Sequence, residues 1–452
     1  MQEFSSGYSK NYEYDLAVVG SGSGGLSAAI TAAKQGLKVI LIDKNGYAGG
    51  LASSGIPFLG FLDMKKRPVV GGFATKFVDE LVKCGASLGV RHCPKHLSVV
   101  VTKPDEVKIA VAKMCSENGV KLMLHSYLVD VKLEDNKISE IICDCAGERF
   151  KVKAKIFVDA TGDGVLSKLA GAPYMKGTAG ENLQPASVLY TIGGVDKEKF
   201  LKWVEENPEN LSDSYSMEYL NERPDYVFVT LGHLWNKYKD TEWPFKGIWA
   251  MILINRLNDS EVMLNGPRMP ATDSTDSESI TYAETEGANQ SLQFVEFLRK
   301  YVGGFENAFL SHINEHIGVR ESRRVEGVKT LTIDMVSKGE IPEDAVALGA
   351  YPVDIHSSKD FTSKFIHVEN PYGIPYLTTV AKTIDNLMLS GRCISVDREA
   401  FGSTRVMGTC LAMGEAVGYG ASIAIKECIL PKNVDVNKIR AKIEANGGIL
   451  KI

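Results

Sequence analysis

Cysteine is sparse and unpatterned: eight residues in a chain of 452, of which only Cys143 and Cys145 lie close together. That excludes a disulfide framework and a paired CxxC metal site, and a reducing compartment is expected. Surplus positive charge is also missing. Fifty-one Lys and Arg against 56 Asp and Glu leave a net charge of -5, which offers nothing to a nucleic acid. The opening residues, "MQEFSSGYSKNYEYD", lack a basic start followed by an apolar run. No secretion signal is therefore expected, and the cytoplasm is the predicted location. Long apolar spans are lacking too. The nearest approach, "VMGTCLAMGEAVGYGASIAI" at 406–425, has no Lys or Arg but contains Glu415 and glycines at 408, 414, 418 and 420. A helix buried in protein is predicted there rather than membrane insertion. Gly414 and Gly418, four apart, share one face and would admit a close backbone or a flat ligand.

Metal patterns fail in the same way. "RHCPKH" brings His92, Cys93 and His96 together, yet no second ligand pair stands at zinc spacing, so a loop is expected. His312 and His316 have Ile313 between them where HExxH needs an acid. Cys393 and Cys410 lack redox spacing, and no iron–sulfur ligand set or built-in electron wire is visible. No metal is expected, and no internal repeat or low-complexity tract interrupts the chain.

What is present begins with "VVGSGSGGLSAAITAAKQGLKVILIDKNG" at 18–46: strand, glycine turn, a helix of small residues over about 24–36, and a buried strand ending in Asp43. Gly20, Gly22 and Gly25 supply the spacing in which one glycine makes the turn, one admits a pyrophosphate and one lets helix and strand pack. The helix N-terminus then offers free N–H groups to phosphate. Asp43, 18 residues after Gly25, can accept from ribose hydroxyls. This predicts dinucleotide binding. Three distant features select FAD over NAD: the Gly/Ser loop "GYAGGLASSG" after Asp43, "ATGDG" at 160–164 after a β-meander, and "SGR" at 390–392 before the glycine-rich helix. A flavin dinucleotide stretched across a sheet is long enough to touch all of them.

At 452 residues, two or more lobes are expected. An amphipathic segment over 75–84 and a helix over 104–118 precede the meander. From 172 the texture changes: strand-like "ASVLYTIGG", acidic helical pieces, an aromatic stretch from Trp235 to Trp249, and the polar loop "ATDSTDSES" at 271–279. The predicted organisation is an α/β Rossmann-like FAD-binding domain over 1–171, completed by 353–452, with an inserted α+β cap or substrate domain over 172–352.

"IGVRESRRVEG" at 317–327, "GAYPVDIH" at 349–356 and "NLMLSGRCISVDREAFGSTRVMGTCLAMGEAVG" at 386–418 are similar to the broad FAD-dependent oxidoreductase group. The whole arrangement resembles flavoproteins with a glutathione-reductase-type fold, in the branch that includes fumarate reductase flavoprotein subunits. That resemblance implies Gly20, Gly22, Gly24 and Gly25 at the pyrophosphate, and Asp43 with Lys44 at the adenosine ribose. It implies Gly49, Gly50, Leu51 and Ser53 along the phosphates and flavin, and the backbone of Val129 at adenine. Ala160, Gly162 and Asp163 would face the pyrophosphate side, and Gly391 and Arg392 the ribityl chain. The helix starting near Gly408, Thr409 and Cys410 would aim its N–H groups at the flavin C2 carbonyl, stabilising an anionic reduced flavin. Relatives with covalent flavin carry a histidine in the loop after the second strand. "GYAGGLASSG" has none, so noncovalent FAD is expected.

Arg405 is the foremost catalytic candidate, because the resemblance implies an arginine that clamps a substrate oxygen near the flavin; backbone carbonyls or the flavin are its other partners. His356 is a second, as proton donor, polar anchor or structural histidine. Arg320, Arg323 and Arg324 with Glu321 would alternate on a strand, as an ion-pair network or as substrate ligands. Tyr372 and Tyr376 are expected to line the cavity. The implied activity is hydride transfer between FAD and a small organic substrate at a C–C or C–O bond. The alternatives are a flavin oxidase or monooxygenase using oxygen, and an electron-transferring flavin subunit of a larger complex. The electron partner is left open by the sequence.

Overall fold

The computed structural model describes residues 9–177, 183–211, 226–245, 251–255, 260–359 and 362–452. Trp249, the end of the aromatic stretch, lies outside them.

The first strand, Lys10–Val19, is apolar on both faces over its last four residues, and each face finds its own core. Leu16 and Val18 point to one hydrophobic cluster, Ala17 and Val19 to another. This two-sided burial is what a parallel sheet requires. The strand pairs in parallel with Val39–Ile42 on one side and Glu148–Asp159 on the other. The sheet has seven strands, in the order Lys121–Met123, Val39–Ile42, Lys10–Val19, Glu148–Asp159, Lys137–Cys145, Tyr127–Glu134. Leu387–Leu389 joins it in parallel against Glu148–Asp159. The last two strands of the order are the antiparallel meander.

Two helices cross on one face of this sheet. Ser23–Lys34 follows the glycine turn, and Met407–Glu427 comes from the other end of the chain. Their approach depends on missing side chains: a Cβ on Gly414 would strike the Gly24 carbonyl and lie 2.7 Å from Ser27 Cβ, and one on Gly418 would lie 2.7 Å from the Ala28 carbonyl oxygen. The shared face expected of Gly414 and Gly418 is thus taken by backbone. Glu415, almost fully buried, accepts from the N–H of Phe73 at 2.9 Å and so caps the helix Phe73–Lys83. Burial raises its pKa despite that bond.

A second, antiparallel sheet has the strand order Tyr226–Val229, Met251–Asn255, Val262–Met269, Ala186–Gly193, Phe309–Ile313. The helix Ser277–Tyr301, capped by the Asp276 side chain, packs on it. Phe294, Phe297, Trp243, Phe245, Phe200 and Phe305 build a separate core here. The packing boundary does not coincide with 352. Val325, Leu331, Val336 and Ala347 pack into the cluster behind the first sheet, and Arg323–Val325 pairs with Tyr174–Lys176. Residues 323–352 therefore sit with the nucleotide-side core. Among the described residues no helix is long and apolar enough to cross a membrane.

Substituting Gly414→Val places two methyl groups against backbone that cannot retreat. A loss of about 3 kcal/mol, at the upper end for overpacking, is expected in urea unfolding followed by circular dichroism. The exposed Ile109→Val serves as control and leaves the midpoint unchanged.

Candidate functional site

The carboxyl ends of the parallel strands open into a groove of about 440 Å³. Gly20 has φ +98°, and a Cβ there would strike the Ala160 carbonyl; a Cβ on Gly25 would strike the Gly20 carbonyl. Gly22 instead faces open space. The three glycines divide their tasks as the spacing predicts: turn, exposed backbone, close packing. The helix Ser23–Lys34 begins at Gly22 without a side-chain cap, so its first N–H groups point toward the groove.

Of the predicted cofactor residues, Gly20, Gly22, Gly24, Asp43, Lys44, Gly50, Leu51, Ala160, Gly162, Asp163, Gly391, Arg392 and Cys410 line this groove. Asp43 is anchored rather than loose: Oδ2 accepts from the N–H and hydroxyl of Ser21, and Oδ1 from the N–H of Asn45. Gly25, Gly49, Ser53, Val129 and Thr409 are not among the lining residues. Ser53 is buried and donates its hydroxyl to the Ala48 carbonyl at 2.8 Å. Val129 is 38% exposed on the meander, and its neighbours Ser126, Tyr127 and Leu128 take the groove wall. The strand bulges between Leu128 and Asp130, and its burial does not alternate, so the sequence carried no marker for the register. The helix Met407–Glu427 presents Met407 and Cys410 to the groove, while the N–H of Gly408 is taken by the Leu59 carbonyl.

The groove fits a dinucleotide on its own evidence. Ser390 Oγ and Arg392 Nη1, both on lining residues, are buried without a hydrogen-bond partner among the described residues. Such donors need a ligand's oxygens. The other guanidinium nitrogen, Arg392 Nη2, donates to Asp163 Oδ1 at 2.8 Å, and the hydroxyl of Ser274, from the polar loop of the second lobe, donates to the same oxygen at 2.9 Å. Burial opposes ionisation of Asp163, but Arg392 and Ser274 outweigh it and lower the pKa.

A second chamber, about 220 Å³, opens from the groove, and both are lined by Leu51, Val319, Arg392, Arg405 and Met407. Arg405 caps the C-terminus of the helix Arg398–Thr404. It donates to the Asp354 carbonyl at 2.7 Å and to Gln184 Oε1 at 3.0 Å, with the Asp354 carboxylate 3.6 Å away. His356 is on the same hairpin as Asp354, Val353–His356 paired with Ser363–Ile366. Burial, opposed by Asp354 and assisted by Arg320 and Arg268, pushes its imidazole down to about 3. The ring is neutral at pH 7. Its Nε2–H donates to Asp354 at 3.1 Å, so Nδ1 accepts from the Ser363 hydroxyl at 2.8 Å. Both nitrogens are engaged. His356 is therefore placed as an anchor of Asp354 and not as a poised proton donor. Burial works against the Asp354 carboxylate, but His356, Arg405 and Arg320 hold it well below the usual range.

Sequence reasoning missed several chamber residues. Arg268 comes from the strand Val262–Met269 of the second sheet. Arg320 separates from its neighbours: its guanidinium lines the chamber and donates to Pro185 O and Ser187 Oγ. Glu321, fully buried, meanwhile pairs with Arg324 at 2.7 Å and Arg398 at 3.3 Å. The charged run is thus an ion-pair core plus one chamber cation. His96, dismissed with the metal pattern, also lines the chamber beside Tyr351. Burial and Lys95 depress its pKa to about 4. Tyr372 and Tyr376 do not reach the cavity; their hydroxyls meet Ser403 and the Pro431 carbonyl inside the core. Among the described residues no three His, Cys, Asp or Glu converge on a metal position.

His96 and His356 have folded pKa values below their unfolded value near 6.5. The unfolded chain therefore binds their protons first, and stability is lost as pH falls from about 6.5 toward 4. Each should contribute a slope of about 1.4 kcal/mol per pH unit between pH 6 and 5. Urea unfolding at stepped pH checks this, and His96→Phe should remove one share of the slope.

A family model described as FAD dependent oxidoreductase matches residues 15–443. The thiamine thiazole synthase of Pyrococcus horikoshii is 29% identical over 163 residues, 34% of this chain and 59% of that protein. The digeranylgeranylglycerophospholipid reductase of Methanocella arvoryzae is 29% identical over 167 residues, 35% of this chain and 41% of that one. The matches thus span about two fifths to three fifths of those relatives' lengths. Among solved structures, a geranylgeranyl bacteriochlorophyll reductase-like protein of Thermoplasma acidophilum aligns at TM-score 0.48 and 15% identity, covering 96% of this chain and 84% of that one. With the family match running almost from end to end and a groove that fits the dinucleotide, the chain belongs to the FAD-dependent oxidoreductase family.

Proposed function

We propose that this protein transfers a hydride between noncovalently held FAD and a small organic substrate, at a C–C or C–O bond, with the substrate seated between the nucleotide lobe and the second sheet. The observation that carries this reading is the continuity of groove and chamber through Leu51, Val319, Arg392, Arg405 and Met407. Asp43 and Lys44 would hold the adenosine end, the uncapped helix at Gly22 the pyrophosphate, and Arg392 with Ser390 the polar chain toward the junction. Bound FAD supplies the hydride chemistry itself.

The chain's contribution lies in placement and charge. Arg405, fixed by Asp354 and Gln184, holds a cation where groove meets chamber, ready to stabilise negative charge developing on a substrate oxygen. Ile56, Pro57, Leu59 and Leu189 give the chamber an apolar wall. The second sheet contributes to that wall through Leu189, which supports assigning the segment after 172 to substrate binding.

The test is anaerobic. Flavin absorbance at about 450 nm should bleach when one member of a panel of reduced metabolites is added to the holoenzyme, and return with a matching oxidised compound. Arg405→Met should lower kcat/KM by about 10²- to 10³-fold with FAD content unchanged. Reduced flavin that returns only on admission of air, with no organic acceptor working, would move the protein to the oxygen-using class.

A further inference from the structure

In the first sheet, Val39–Ile42 and Glu148–Asp159 flank Lys10–Val19, the strand that ends in the turn at Gly20. The second lobe is bonded to the first on both sides of that turn. Beyond Val39–Ile42, the Nε2–H of His316 donates to Asn45 Oδ1 at 2.6 Å, and the side-chain amide of Asn314 donates to the Ser54 carbonyl at 2.8 Å. Beyond Glu148–Asp159, the hydroxyl of Ser274 donates to Asp163 Oδ1 at 2.9 Å. Asn45, Ser54, Asp163, Asn314 and His316 all line the groove. The bonds therefore bridge the groove on either side of the pyrophosphate turn. Asn45 also gives its backbone N–H to Asp43 Oδ1 at 2.9 Å, so His316 acts on the acid expected at the ribose through a single residue. Burial and Lys44 lower the pKa of His316 against Glu315 and Asp43, which keeps the imidazole neutral at pH 7 and suits it to donate one N–H.

The segment that carries Asn314 and His316 is fastened from behind and from outside. Ile317 packs in the core of the second lobe, and its N–H donates to Glu284 of the helix Ser277–Tyr301 at 2.8 Å. Glu315 reaches across to Lys108 of the first-lobe helix Pro104–Glu117 at 2.8 Å. Lys108 in turn lies 4.9 Å from the centre of the Tyr47 ring, and that ring stacks on His316 at 6.4 Å. We propose that residues 314–317, with Ser274, form a clasp by which the second lobe holds the cofactor, that His316 is a cofactor-positioning residue supplied by that lobe, and that FAD leaves only when the clasp opens. This rests on the FAD assignment and not on the hydride-transfer reading. Each tie is modest by itself, being a neutral hydrogen bond or a partly exposed ion pair. Several must part together before a ligand as long as a dinucleotide can leave, so the rate of release is the property they govern.

The readout is the rate at which FAD leaves the diluted holoenzyme, with free flavin separated from bound flavin and read at about 450 nm. His316→Ala and Ser274→Ala should each speed release by about 3- to 10-fold. Lys108 and Glu315 are not among the residues that line the groove. Lys108→Glu, which sets two carboxylates against each other, should still speed release by about 2- to 5-fold. Adding Glu315→Lys should return it toward the wild-type rate, a rescue that general damage to the fold would not give. Wild-type release in both His316→Ala and Lys108→Glu, or no rescue by the exchanged pair, overturns the clasp, and so does a protein that takes up no FAD. Should Lys108→Glu fail to fold, the pair His316→Ala and Asn45→Ala decides: the two side chains share one bond, so the double variant should release FAD no faster than the faster single one, and multiplied rates overturn the proposal. The two readings fail separately. Variants that release FAD as expected, in a flavoprotein that no organic compound reduces or reoxidises, would sink the hydride-transfer proposal alone, whereas turnover with wild-type release in every variant would sink the clasp alone.

Discussion

The contact of backbone with backbone between the first helix and the last long one is the constraint on which the site depends. Gly414 against the Gly24 carbonyl and Gly418 against Ala28 leave no room for a methyl group. Because the helices meet this closely, the N-terminal turn of Met407–Glu427 arrives beside the glycine turn, and the residue just ahead of it, Arg405, reaches the mouth of the groove. Wider spacing would move the cation away from the place where groove and chamber meet. Small residues at this crossing thus set where Arg405 stands relative to the groove.

A second constraint is electrostatic. Arg268 donates to Ser363, Ser363 to His356, and His356 to Asp354, which in turn receives Arg405. The chain of bonds runs from the second sheet, through a hairpin, to the end of a helix on the first lobe. Ser363 on Nδ1 and Asp354 on Nε2 specify the neutral tautomer of His356, and the Asp354 charge is retained in a buried place. Removing a middle member would leave a buried charge unanswered, which is costlier than losing one neutral hydrogen bond. Fixed in this way, the network orients Arg405.

Much of the nucleotide side was legible because it is local. Gly20, Gly22, Gly25 and Asp43 lie within one βαβ unit, where periodicity and spacing report directly on geometry. The meander strands were legible for the same reason. Val129 is off the groove wall, which Ser126, Tyr127 and Leu128 form beside a bulge that no residue type announces. Tyr372 and Tyr376 sit at a chain position near the cavity, yet polar partners inside the core claim their hydroxyls. Val325, Leu331, Val336 and Ala347 are as apolar as core residues of either lobe, and only contact tells which core they join.

By itself, the sequence determined the dinucleotide turn, its acid, the buried parallel strands and the absence of a cysteine framework, because each is written in neighbouring residues. The tertiary structure alone decided the chamber. Arg268, Arg320, Asp354, His356 and Arg405 are spread over 138 positions with no common spacing, and they become one site only when a strand of the second sheet, a hairpin and a helix end converge. Charge in a cavity is a sum over whatever packing brings near, and that sum has no local signature in the chain.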